Sequence, residues 1–314
     1  MSGGDPATGE TGIDRDLGRV LRHLELTVTR RLDGLLRGAF ASASTGPGTD
    51  PDSAREYVVG DDVRFMDWSV TARTGVAHVR DPEAERELES WIAAEASPRL
   101  TTGFGPTTKR HLLTAATAAV ALLADNPGDR TGLIADGTLI PPGQGRAHAM
   151  RLISHAARHV GGSGLAADLG TLPSRAPQAG LVTVISDFLG PVDWADALRV
   201  AGTRTDVLAI RLIDPADEAL PGDGPVRLSD PVSGEMLEVD IDDDIRRRYE
   251  AAAREHSRKV TAALRSSRAR IVELRTDRDW VLDFARQMAP GRLSPASGPP
   301  RTVAMGRGGI GGGR

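Results

Sequence analysis

Asp61, Asp62, Asp67 and His78 fall within one short stretch, and carboxylates grouped with an imidazole are the residue set a metal-dependent hydrolase uses. The same stretch, REYVVGDDVRFMDWSVTARTGVAHV, also carries Arg55, Arg64 and Arg73 among Tyr57, Val63, Phe65, Met66 and Trp68. Charges interleaved with large apolar groups must be paired or half exposed, because an isolated buried ion is too costly. Two chemistries are therefore open. Either the acids and His78 converge on a metal in a cleft, or the acids pair with Arg55, Arg64 and Arg73 in a salt-bridge latch. Such a latch would close a small module against a larger domain, with Trp68 filling the seam. A contact surface for a partner protein is the functional alternative to the latch.

Other chemical groupings are weaker. His148, His155 and His159 share one face of a predicted helix, and histidine is a zinc ligand. The run His155-Ala156-Ala157-Arg158-His159 lacks the glutamate a metalloprotease places there, so solvated histidines are expected. The loop Gly161-Gly162-Ser163-Gly164-Leu165 is not the G-x-S-x-G of a hydrolase elbow, and no G-x-x-x-x-G-K-[ST] phosphate loop occurs. Arg246, Arg247, Arg248, Arg254, Arg258, Lys259 and Arg265 wind round a predicted helix with Glu250 and Glu255 between them. That is a solvated face rather than an RNA-binding one.

Composition narrows the choice. The chain has 314 residues, 39% hydrophobic and 26% charged, enough for one large domain and a small one. With 39 basic and 43 acidic side chains the net charge is -4, so no basic field argues for nucleic acid. The absence of cysteine excludes disulfides, thiol nucleophiles and Cys-ligated metals, and fits a cytoplasmic location. The N-terminus has no secretion-signal pattern, and the apolar run Ala115 to Ala124 is too short to span a membrane.

The elements that would position these residues alternate in type. Residues 1–12 are too polar to fold, and Asp14 to Arg37 has the apolar spacing of an amphipathic helix, expected to pack on the small module. Ala39 to Ser53 reads as a link. Val63 to Trp68 is either a short strand or one helical turn, Val76 to Arg80 is a strand, and Pro82 to Glu89 is a helix or an extension of that strand. Trp91 to Glu95 begins the larger domain, followed by a helix at His111 to Asp125. Asp136-Gly137 between Leu133-Ile134-Ala135 and Thr138-Leu139-Ile140 predicts a type I′ hairpin. Ala147 to Val160 is helical, and Leu181 to Ser186 is a strand buried on both faces. Val192 to Gly202 is a helix, Asp206 to Leu212 a strand, and Pro225 to Ile241 an inserted hairpin turning near Ser233-Gly234. A helix at Ile245 to Arg265, a strand at Arg270 to Leu274 and a helix at Trp280 to Met288 complete the domain, and residues 293–314 are a disordered tail. Strands alternating with helices predict a mostly parallel sheet covered on both sides.

The residues Arg55, Tyr57, Gly60 to Asp62, Arg64, Asp67, Trp68, Ala72 and Arg73, followed by Glu85-Arg86-Glu87, resemble the bacterial domain of unknown function family 58. The resemblance implies a von Willebrand factor A-like α/β fold, a Rossmann-type sheet over residues 91–292, preceded by a helix-and-strand module over 13–90. It also implies a MoxR-type AAA+ ATPase as partner and a non-enzymatic adaptor role toward an unknown client. Domains of that fold hold Mg²⁺ at an adhesion site built on Asp-x-Ser-x-Ser, a Thr and an Asp at the strand ends. Mapped here, Glu95 stands for the Asp, Ser97 for the first Ser, Arg99 for the second, Ser163 for the Thr and Asp187 for the last acid. A guanidinium offers no lone pair and repels a divalent ion, so Arg99 disfavours Mg²⁺ and no cofactor is expected. Arg99 then either pairs with Glu95 or Asp187, or offers its fork to a partner's acid, or points to solvent.

Overall fold

The computed structural model describes residues 22, 24, 26–28, 54–59, 61–80, 88–123, 128–162 and 164–288. Ser163, the linker at 39–53, most of the predicted 82–89 segment and both chain ends lie outside the described residues.

A six-stranded sheet organises the chain. Its strands are β3 (Glu89–Ala94), β4 (Arg130–Ala135), β5 (Thr138–Gly143), β6 (Leu181–Ser186), β7 (Asp206–Ile213) and β10 (Arg270–Arg275). They are arranged β10-β7-β6-β3-β4-β5, and all pairs are parallel except β4 with β5. That antiparallel pair is the predicted hairpin: Asp136 and Gly137 both have positive φ, as a type I′ turn requires. β5 lies at the sheet edge, where Pro141 and Pro142 remove no ladder bond the sheet depends on.

Period-two alternation sends neighbouring side chains to opposite faces. On β3, Ile92 and Ala94 join a core with α2 (Lys109–Leu123), α3 (Arg146–Arg158) and α7 (Trp280–Met288), whereas Trp91 and Ala93 join one with α4 (Leu165–Arg175), α5 (Ala195–Ala201) and α6 (Asp243–Ser266). Trp91 needs a glycine across from it: a Cβ on Gly132 of β4 would lie 2.9 Å from the indole. The observed architecture is a mostly parallel α/β sheet with helices on both faces, as the alternation predicted. Helix α4 was not foreseen, because its Gly-rich lead-in and Pro173 mask its spacing.

Val63–Phe65 is a 3₁₀ turn, the helical of the two expected alternatives, whereas the helix at Trp68–Thr74, α1, closed by Gly75 in the left-handed region, was not expected. The predicted strand at 76–80 shortens to β2 (His78–Arg80), paired antiparallel with β1 (Ala54–Glu56). The helical residues Leu24 and Val28 are fully buried in the α2–α3–α7 core of the large domain, not on the small module where the amphipathic helix was expected to pack. A last hairpin, β8 (Gly224–Ser229) with β9 (Met236–Ile241), projects between β7 and α6 as predicted, turning at 230–235.

Candidate functional site

Strand β3 connects outward through α2 to β4, and the chain then returns to β6 on the other side of β3. The carboxyl ends of β3 and β6 therefore flank the point where strand order reverses, the crevice in which open α/β sheets bind ligands. Glu95 follows β3 and Asp187 follows β6, and both are buried.

Their charges are met from within the chain. Ser97 caps a 3₁₀ turn over Pro98–Thr101, its Oγ accepting from the Arg99 N–H at 3.3 Å. The turn aims Arg99 back, so that Nη2 donates to Glu95 Oε1 at 2.7 Å and lies 3.7 Å from Asp187 Oδ1. Lys109, at the start of α2 and only 3% exposed, donates to Asp187 Oδ2 at 3.1 Å and to Asp217 Oδ1 at 2.8 Å. Ser186 Oγ donates to the second oxygen of Glu95. Asp214, after β7, accepts from Thr276 Oγ1 at 2.7 Å and from the backbone N–H groups of Phe104, Gly105 and Ala216.

Electrostatics follow from this packing. Burial, reinforced by Asp187, raises the Glu95 carboxyl to about 7 against the pull of Ser186, Arg99 and Lys109. Burial works against the Lys109 ammonium, but Asp187 and Asp217 together outweigh it and raise its pKa. Burial also raises Asp217, partly offset by Lys109. For Asp214 burial is overcome by its hydrogen bonds with Thr276, Ala216, Phe104 and Gly105, and the pKa is lowered. Beside Arg99 opens a cavity of about 390 Å³, walled by Pro98, Leu165, Phe188 and Trp194, with Val232 of the hairpin turn at its mouth.

The sequence brought Glu95, Ser97, Arg99 and Asp187 to one edge, and the structure puts them there. Arg99 pairs with Glu95 rather than pointing to solvent. Lys109 and Asp217 were missed. A lysine heading an Ala/Leu helix is the signal for the first, since a charge there needs a buried partner, but its partners lie 78 and 108 residues away in sequence.

The acids of the signature stretch do not converge. Asp61 forms a two-pronged pair with Arg55 at 2.6 and 2.8 Å and also accepts from the Val58 N–H, which holds it down at about 2. Asp62 pairs with Arg64 at 2.7 Å, Asp67 caps α1 by accepting from Ser69 and Val70, and His78 Nδ1 lies 2.7 Å from the Val76 carbonyl. Among the described residues these bonds lie within the module. Trp68, expected to fill the seam, is 68% exposed, and Arg73 and Tyr57 lie at or near the surface. The histidines expected in solvent are engaged: His148 is buried, with Nε2 2.7 Å from the Thr131 carbonyl, while His155 stacks on His159 and His159 meets Asp136 at 3.3 Å. Among the described residues no three His, Asp, Glu or Cys groups are placed to hold a metal, and no helix is long and apolar enough to cross a membrane.

A family model described as "Protein of unknown function DUF58" matches residues 53–259. Two relatives, "Uncharacterized protein Rv1480" of Mycobacterium tuberculosis and "Uncharacterized protein Mb1516" of Mycobacterium bovis, are each 41% identical over 294 residues, covering 91% of this chain and 93% of their own. Among solved structures, the conserved hypothetical protein BatB from Bacteroides thetaiotaomicron aligns at a TM-score of 0.41 and 14% identity, over 64% of this chain and 95% of its own. An aerotolerance-related membrane protein from Bacteroides fragilis aligns at 0.37 and 14%, over 58% and 98%. The family match runs from the Arg55–Asp61 module through the strand-end site into α6, and the mycobacterial relatives extend it nearly end to end: the chain belongs to the DUF58 family.

Proposed function

We propose that this protein is a non-enzymatic interaction protein with a von Willebrand factor A-like domain. It serves as an adaptor for a MoxR-type AAA+ ATPase that remodels or matures a client protein. The observation that carries this reading is the pairing of two tethered cations, Arg99 and Lys109, with Glu95, Asp187 and Asp217 at the strand-order switch. Mg²⁺ needs several oxygen ligands around one centre. Here the acid oxygens face an ammonium and a guanidinium, which carry no lone pairs and repel a further cation. This donor set does not fit a divalent ion, and the recognition face works without one. The exposed Trp68, Val59 and Val63 of the small module supply a second contact surface.

The reading is tested by mixing the full chain with a MoxR-type AAA+ ATPase from the same organism and following co-elution and ATP turnover. A stable complex with altered turnover is expected. Separate elution in the ATP-, ADP- and nucleotide-depleted states would overturn the adaptor role.

A further inference from the structure

An edge strand leaves a row of backbone N–H and C=O groups open to pairing with another chain. Both edges of the central sheet are closed. On β5 the edge carries Pro141 and Pro142, which have no N–H. On β10 the Gln287 side chain of α7 stands in for a neighbouring strand, accepting from the Glu273 N–H at 2.9 Å and donating to the Glu273 carbonyl at 2.8 Å. The β8–β9 hairpin pairs with no further strand among the described residues.

The Asp230 N–H donates to the Glu235 carbonyl at 2.8 Å, and this fixes the phase of the hairpin ladder. Leu228 with Leu237, Val226 with Val239 and Gly224 with Ile241 then exchange bonds across it. The N–H and C=O groups of Met236, Glu238 and Asp240 therefore turn outward, and they have no partner among the described residues. Along the β8 edge the row is interrupted by Pro225, so β9 offers the fuller edge. Its two faces differ in chemistry. Leu228 and Leu237 share one face with Val226 and Val239, half-buried at the hairpin base but open toward the tip, where Leu237 is 60% exposed. The other face carries two acids: Glu238 pairs with Arg227 at 2.7 Å, while Asp240 stands opposite Pro225 and meets no cation among the described residues.

We infer that the outer edge of β9 takes an extended segment of a partner polypeptide as a third strand, with basic residues opposite Glu238 and Asp240 and apolar residues opposite Leu237 and Val239. The inference rests on the interaction-protein reading above and gives that protein a contact surface of defined chemistry, apart from the strand-end crevice. Main-chain bonds to the three outward-facing residues supply the attachment, and the alternation of charge and apolar surface along β9 supplies the selectivity. A hairpin of two strands is marginal by itself, and a third strand that covers Leu237 stabilises it. The acids on β9 also set the sign of the partner. They repel an acidic strand and leave Asp240 without a counter-charge until a basic one arrives.

The test uses the full chain labelled with ¹⁵N and follows hydrogen exchange at the Met236, Glu238 and Asp240 amides. Three probes are titrated: acetyl-Lys-Val-Lys-Val-Thr-amide, its acidic counterpart acetyl-Glu-Val-Glu-Val-Thr-amide, and the lysine peptide with both lysine backbone nitrogens methylated, which keeps the charge but deletes two ladder donors. The lysine peptide is expected to slow exchange at all three amides by about tenfold or more at saturation, and the other two probes to leave it unchanged. A Glu238→Lys, Asp240→Lys variant should reverse the preference, losing the lysine peptide and gaining the acidic one, an outcome a misfolded hairpin would not give. Equal binding of the acidic or the methylated probe, protection that appears elsewhere but not on β9, or an unreversed preference in the variant would each overturn the inference. So would protection of the three amides without any probe: if it rises with protein concentration the edge belongs to a second copy, and if it does not, to another part of the same chain. If the ATPase complex forms while the probes fail, the adaptor reading survives alone. If the lysine peptide binds while no ATPase complex forms, the β9 edge survives alone.

Discussion

Glu95 and Lys109 are the two side chains on which the strand-end chemistry turns. Glu95 is raised to about 7 by burial and by Asp187, so between its ordinary value and that pH the native chain holds a proton the unfolded chain has released. Native stability from this group therefore falls as pH rises across that window, by about 3 kcal/mol in total, and levels off above it. Urea denaturation of wild type and Glu95→Gln at a series of pH values checks this. The wild-type curve should lose stability relative to the variant from about pH 4.5 to about pH 7, and parallel curves would refute the shift. Lys109 has the opposite character: its raised pKa means its contribution is complete at neutral pH and is lost only when pH climbs through the folded-state value. Lys109→Met leaves buried Asp187 and half-buried Asp217 without their ammonium and should cost about 3–5 kcal/mol by chemical denaturation. Trp68→Ala, at an exposed position, should change stability by less than about 0.5 kcal/mol.

At the level of elements, the loop after the Arg99 turn is held down by Asp214 and by close backbone packing. Gly105 donates to Asp214, and a Cβ at Gly105 would lie 2.6 Å from the Thr276 carbonyl oxygen, a backbone atom that cannot swing away. Gly105→Ala should destabilise by about 1–3 kcal/mol, measured as a drop in the urea midpoint at constant slope. Elements with one dominant signal were legible in the sequence. The mostly apolar run Leu181–Ser186 is a buried central strand, the Asp136-Gly137 turn sits where its φ values require, and Trp280–Met288 is a helix with those bounds. Elements with mixed signals were not. Trp68–Thr74 is a helix that buries no side chain, so it has no apolar stripe to betray it, and its Asp67 cap reads equally as a member of a charged cluster. The same ambiguity made Asp61, Asp62 and Asp67 resemble a catalytic set, when each has a local partner.

Across the whole molecule, the sheet order places the ends of β3 and β6 side by side, and this is what turns residues far apart in sequence into one site. The positions Glu95, Ser97, Arg99 and Asp187 could be found because each lies next to a strand recognisable from sequence. Lys109 and Asp217 could not, since their pairing depends on how α2 and the segment after β7 come together in three dimensions. With both cations in view, the chain carries its positive charge at this edge in covalent form. Calorimetric titration of Mg²⁺ and Mn²⁺ into wild type and into a Glu95→Asp, Arg99→Ser, Lys109→Ser variant tests that claim most directly. The account predicts no binding heat from wild type and saturable binding only in the variant, where the acids are released from their tethered cations. Tight stoichiometric binding by wild type would contradict it.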